Sequence, residues 1–178
     1  MWTAPVTIVF FSLLKVLMCI EVKVPQQTYT IVPLSSVTLR CDYTTSANIN
    51  DVIVTWRYKS FCKPTVLENN LILEEIGLYL GEDRFNDCPD SERTVHPVIQ
   101  KIGRNKPVLG KNYFGRKFTI ENKADLVMSE VKLLDAGVYF CSVDAAGDFT
   151  GDNDKKVKLF VKPEEQSATT EKLQIRQL

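Results

Sequence analysis

Four aspartates fall within the run DAAGDFTGDND, at Asp144, Asp148, Asp152 and Asp154. Clustered hard oxygens are what calcium requires. Their spacing, however, does not match an EF-hand loop, and Asp-Gly-rich sequence is ordinary turn material. A polar recognition loop is the better reading, and no metal is expected. A hydrolytic triad would need a base, and His96 is the single histidine, directly before Pro97 in a strand-like run. A packed or solvated imidazole suits that position better than a catalytic one. No glycine-rich phosphate loop occurs. The five cysteines include no CxxC pair and have one histidine for company, so a zinc site lacks its ligands. No enzyme and no cofactor are expected.

Lys+Arg and Asp+Glu number 22 each, and this balance offers no electrostatic support for nucleic-acid binding. The first residues carry an apolar run, PVTIVFFSLLKVLMCI, followed by the charged EVKVP. Its length and position suit a secretory signal peptide over residues 1–19, cut after Cys19. Four cysteines then remain in an exporting context, which favours disulfides. A domain over residues 20–162 and a flexible polar tail over 163–178 are expected.

The elements that would position these residues are short and β-rich. SVTLRCDY alternates Val37, Leu39 and Cys41 with Thr38, Arg40 and Asp42. DVIVTWRYK puts Val52, Val54 and Trp56 on one face and Ile53, Thr55 and Arg57 on the other. RKFTIEN, ADLVMSEV, GVYFCSV and KKVKLFVK are similar, whereas the acidic stretch between Cys62 and Cys88 reads as an inserted loop. RTVHPVIQKIG resumes a strand that Pro97 confines to an edge or a bulge. Period-two patterning without a helical period predicts an all-β fold.

LLDAGVYFC, ending at Cys141, narrows that class. Cys41 and Cys141, each mid-strand and inward, can join two facing sheets, with Trp56 packed beside the bridge. Tyr139, two residues before Cys141, can turn its hydroxyl back to the preceding corner. Asp135 can pair with Arg116, or failing that Lys117, and Gly137 lets the backbone bend tightly. This constellation predicts an immunoglobulin variable-type (V-set) two-sheet sandwich. Cys62 and Cys88 then remain for each other; bridging them closes a loop of about 25 residues and stabilises by roughly 3 kcal/mol. The strands of Trp56, Cys141 and KKVKLFVK lie side by side in such a domain. Their outward residues include Val138, Phe140, Ser142, Lys156, Lys158 and Phe160. Ile53, Phe140 and Phe160, rimmed by Arg57 and the lysines, are expected to expose a contiguous protein-binding patch. No Asn-x-Ser/Thr sequon exists to place a glycan over it.

CDYTTSA, DVIVTWRYKSFCK, NDCPDSERTV, PVLGKNYFGRKFTIENKADLVMSEV and GDFTGDNDKKVKLFV together resemble the extracellular domain of the angulin family. That family comprises the lipolysis-stimulated lipoprotein receptor and the immunoglobulin-like domain-containing receptors. The likeness runs from about Val22 to Val161, and Cys62, six residues after Trp56, is its most telling element. The resemblance also implies the Cys62–Cys88 bridge. It implies a non-enzymatic receptor or adhesion module at tricellular tight junctions of epithelia, meeting other cell-surface proteins or itself. Tricellulin is expected as a partner only of a membrane-anchored form. A secreted form would act as a soluble or lipoprotein-related ligand binder.

Overall fold

The computed structural model describes residues 20–62, 88–146 and 151–162, with the backbone alone at 151–152. The expected leader, the tail and most of the insert lie outside the described residues. In chain order the strands are β1 (Ile20–Lys23), β2 (Thr28–Ile31), β3 (Val37–Leu39), β4 (Asp42–Thr44), β5 (Val52–Lys59) and β6 (Val95–Ile102). β7 (Val108–Leu109), β8 (Phe118–Glu121), β9 (Asp125–Met128), β10 (Gly137–Ala145), β11 (Gly151–Asp152) and β12 (Asp154–Val161) follow. Among the described residues the only helical pieces are single 3-10 turns.

Six strands form one sheet in the order β2-β12-β10-β5-β6-β7. The facing layer is made of two three-stranded ladders, β3-β9-β8 and β11-β1-β4. Alternation decides which side chains enter the space between the layers. On β5, Val52, Val54, Trp56 and Tyr58 are buried and the residues between them are not. Cys41 and Cys141 are bonded across that space with Cα atoms 6.6 Å apart. Trp56 and Tyr139 are fully buried beside them. Burying roughly 200 Å² of indole stabilises by about 5 kcal/mol at 25 cal/mol/Å². The indole N–H is not sacrificed, because it donates to the Ala124 carbonyl at 2.7 Å.

The run Ser36–Tyr43 is not one strand. Its alternation persists, but the ladder breaks at Arg40 and Cys41, so β3 pairs with β9 while β4 pairs with β1. Cys41 therefore sits at a break rather than mid-strand. Its N–H donates to the Asp125 carboxylate at 2.9 Å, and that of Arg40 to the Tyr29 hydroxyl at 3.2 Å. Side-chain acceptors thus satisfy the backbone where the strand changes partner.

Pro97 lies at the register shift where Trp56 faces Ile99 and Arg57 faces Pro97. The extra residue is Val98, buried together with Ile99. A bulge tolerates the missing proline donor. Gly110 donates its N–H to Val98 at 2.8 Å. A Cβ on Gly110 would stand 2.2 Å from the Pro97 carbonyl oxygen. Only glycine fits against the bulge.

Candidate protein-binding face

The turn before β10 fixes which of its residues face solvent. Arg116 lays a fork on Asp135, Nη1 to Oδ1 at 3.0 Å and Nη2 to Oδ2 at 2.6 Å. The same carboxylate accepts the Lys132 N–H at 2.6 Å. Tyr139 donates its hydroxyl to the Asp135 carbonyl at 2.8 Å. Burial is the main cause holding the Tyr139 phenol well above its usual range. The Arg116 guanidinium, 4.5 Å from the Phe118 ring centroid, is raised chiefly by its bond to Asp135. Lys117 is bound instead to Glu130.

Tyr58 completes the corner, and sequence reasoning missed it although it extends the Val52, Val54, Trp56 alternation. Its hydroxyl reaches the Ala136 carbonyl at 2.9 Å. A Cβ on Gly137 would stand 2.5 Å from Cε2 of Tyr58 and 2.7 Å from the Lys59 carbonyl. Close approach, not a tight bend, is what demands glycine at 137. His96 is packed, its ring 5.1 Å from Tyr58 and 5.3 Å from Tyr113, with Nε2 3.1 Å from the Tyr113 hydroxyl.

Outside this core, β10 presents Phe140 to solvent between Arg57 of β5 and Lys156 of β12. The Lys59 ammonium lies 5.0 Å from its ring centroid, a cation–π contact. Phe160 stacks on Phe61 with centroids 5.1 Å apart and planes 14° from parallel. Ile53 stands opposite Asp144 and Ile102. Between Ile53 and Phe140 runs a polar row. Arg57 donates to Ser142 Oγ at 3.1 Å, Ser142 donates to Asp154 Oδ1 at 2.8 Å, and Arg57 pairs with Asp154 at 3.4 Å.

The patch thus differs from its expectation in two ways. It is interrupted, because Thr55, Ser142 and Asp154 separate Ile53 from Phe140. It is also more covered: Ile53, Phe140 and Phe160 are half-buried. Val138, Ser142 and Lys158, expected to face solvent, are buried. Val138 lies in register between Lys59 and Lys158, and long lysine stems lie over apolar neighbours. Alternation predicts the side of a sheet, not what lies across it.

Two features border the face. Beside Phe140 an open cleft of about 560 Å³ lies between β1 and β12, walled by Glu21, Lys23, Gln27, Asp154 and Lys156. At the other end Cys62 and Cys88 are bonded, with Cα atoms 5.8 Å apart. Nearby, Lys59 pairs with Asp90 at 2.8 Å; that bond, followed by the one from Arg93, holds the Asp90 carboxyl below its ordinary value.

Of the four clustered aspartates, Asp148 and the Asp152 side chain lie outside the described residues. Asp144 accepts from Asn153 at 3.4 Å, and Asp154 belongs to the Ser142 network. Among the described residues no group of three or more metal-ligating side chains forms. Among them, too, no helix is long and apolar enough to cross a membrane.

Comparison with known proteins adds to this geometry. Residues 85–162 match the immunoglobulin V-set domain. Immunoglobulin-like domain-containing receptor 1 of Mus musculus is 53% identical over 127 residues, covering 71% of this chain and 24% of that protein. The lipolysis-stimulated lipoprotein receptor of Mus musculus is 35% identical over 171 residues, covering 88% of this chain and 29% of that protein. The chain therefore spans about a quarter of the length of the curated relatives it matches. Among solved structures, domain 1 of VCBP3 from Branchiostoma floridae superimposes with a TM-score of 0.51 at 16% identity. That alignment covers 82% of this chain and 96% of the other, a likeness of fold alone.

Proposed function

The V-set domain of this chain belongs, with those of its homologues immunoglobulin-like domain-containing receptor 1 and the lipolysis-stimulated lipoprotein receptor, to the angulin family, and from that premise we propose that it is the non-enzymatic recognition module of a cell-surface receptor that acts by protein–protein contact at epithelial tricellular junctions. One observation carries the choice of surface. The outer face of the six-stranded sheet holds Phe140 between Arg57 and Lys156, under Lys59. Aromatic and arginine side chains on a flat, ordered sheet are the residues from which interface hot spots are built.

Residues 1–19 act in this reading as a secretory signal. The partner is another cell-surface protein or a second copy of the chain, and tricellulin is recruited only by an anchored form.

The test is a cell-aggregation and junction-recruitment assay on the membrane-anchored form carrying Phe140→Asp and Ile53→Asp. Loss of both behaviours, with surface delivery and disulfides intact, is the expected result. Unchanged behaviour of the well-folded double variant would sink this face. The name of the lipoprotein-receptor homologue motivates a second arm. Capture of lipoprotein particles by the soluble domain, without aggregation, would favour the ligand-binding reading.

A further inference from the structure

Several exposed apolar side chains gather at one pole of the sandwich, away from the sheet face. Leu134 is 88% exposed, Leu34 75%, Phe114 72% and Leu133 54%. They sit on three different turns, which hydrogen bonds tie into one end of the domain. The Leu34 N–H donates to Val131 at 2.7 Å, and Val131 donates back to Ser35 at 3.0 Å. Arg116, two residues after Phe114, grips Asp135, the residue after Leu134. β12 leaves the domain at the same end, where the Lys162 N–H donates to Ile31 at 2.9 Å.

Packing does not account for this group. Leu34 is doubly anomalous, because it combines 75% exposure with a backbone φ of 65°. That left-handed conformation favours glycine or asparagine and strains a leucine. A strained backbone that presents an apolar side chain to water points to a use for it.

We propose that this pole seats on the surface of a phospholipid bilayer, with Leu34, Phe114, Leu133 and Leu134 entering the headgroup and acyl boundary. Three features select lipid over a protein partner. The apolar residues come from three separate turns, and side chains of this kind can enter the headgroup and acyl boundary together. Several carbonyls and N–H groups of the three turns are bonded within the domain: besides the Leu34 bonds, Ala136 donates to Leu133, Tyr58 donates to Leu134 and Arg116 donates to Tyr113. Lipid-facing backbone has no water to fall back on. Finally, the rim is cationic. The three turns and the strand exit carry Lys111, Arg116, Lys117, Lys132 and Lys162, against Glu130 and Asp135, which already hold Lys117 and Arg116. Such a rim complements phosphate headgroups. The seat goes beyond the sheet-face contact and does not depend on it.

Tryptophan scanning with brominated lipid tests this on the chain as exported, after removal of residues 1–19. Leu134→Trp places a reporter at the pole. Ile49→Trp places one at the far end, on the 3-10 turn that leads into β5. Each is read against the parent chain, whose own tryptophans are Trp56 and, in any unprocessed material, Trp2. The vesicles are brominated phosphatidylcholine, with and without phosphatidylserine. Leu134→Trp is expected to lose emission on vesicle addition, more so with phosphatidylserine, while Ile49→Trp keeps its own. Adding Leu34→Asn, which relieves the strain and removes the apolar side chain, is expected to reduce the loss at position 134. Equal quenching at both positions, or none at position 134, overturns the proposal. So does a loss at position 134 that Leu34→Asn leaves unchanged.

Discussion

Arg116 holds both carboxylate oxygens of Asp135, and Asp135 is 4% exposed. A fork of this kind is worth most for what its loss leaves behind. Arg116→Ala strands a buried carboxylate and is expected to destabilise the domain by about 3 kcal/mol. Arg116→Lys keeps the charge but cannot reproduce the two parallel bonds, so its loss should be smaller. Thermal unfolding followed by circular dichroism measures both; a parent-like Arg116→Ala would show the pair to be dispensable.

Gly137 and Tyr58 are fitted to each other. Gly137→Ala should cost about 2 kcal/mol, since the added methyl meets both the Tyr58 ring and the Lys59 carbonyl. Tyr58→Phe removes the hydroxyl bond to Ala136 and should cost about 1 kcal/mol. Because the residues touch, Gly137→Ala combined with Tyr58→Ala should cost less than the sum of the two single changes. Strict additivity in denaturant unfolding would contradict the contact.

His96 gives the domain a pH dependence of known sign. Burial against Tyr58 and Tyr113 pushes its imidazole below the ordinary 6.5. The unfolded chain then takes up its proton first as pH falls. Stability is full above about 6.5 and declines below it, as pH falls toward the folded value. The chain has one histidine, so His96→Gln should flatten this part of the profile. Urea midpoints of parent and variant at pH 7.5 and 5.5 provide the comparison; parallel profiles would exclude the effect.

The two bridges should separate in their consequences. Cys62 and Cys88 are 26 residues apart, and replacing both with Ala should cost about 3 kcal/mol while the sandwich still folds. Cys41 and Cys141 are 100 residues apart, and their loss should cost about 5 kcal/mol and remove the contact beside Trp56. Non-reducing peptide mapping of the first variant should still return the Cys41–Cys141 peptide.

Alternation made the layers and the central bridge legible, because Cys41, Trp56 and Cys141 each sit where period two turns a side chain inward. The same signal was blind to the break at Cys41. Inside–outside order continues across β3 and β4, and only the hydrogen-bond partner changes. It was equally blind to β2, and to β1, where the junction of the apolar run with the charged EVKVP hid the buried Ile20 and Val22. On the outer face it identified Phe140 and Phe160 but not their covers. Lys59 and Phe61 reach those rings through side-chain length and a turn past the strand end, which no spacing encodes. Leu34, strained and exposed, carried no sequence signal at all.

One consequence of the sheet order concerns mechanical load. β12 carries the chain out of the domain and is flanked by β10 on one side and by β2, running parallel to it, on the other. Tension drawn along β12 from Lys162 must slide it past both neighbours at once. Their bonds then share the pull instead of parting one after another, as they would in an unzipping hairpin. A domain built this way resists force that enters through β12.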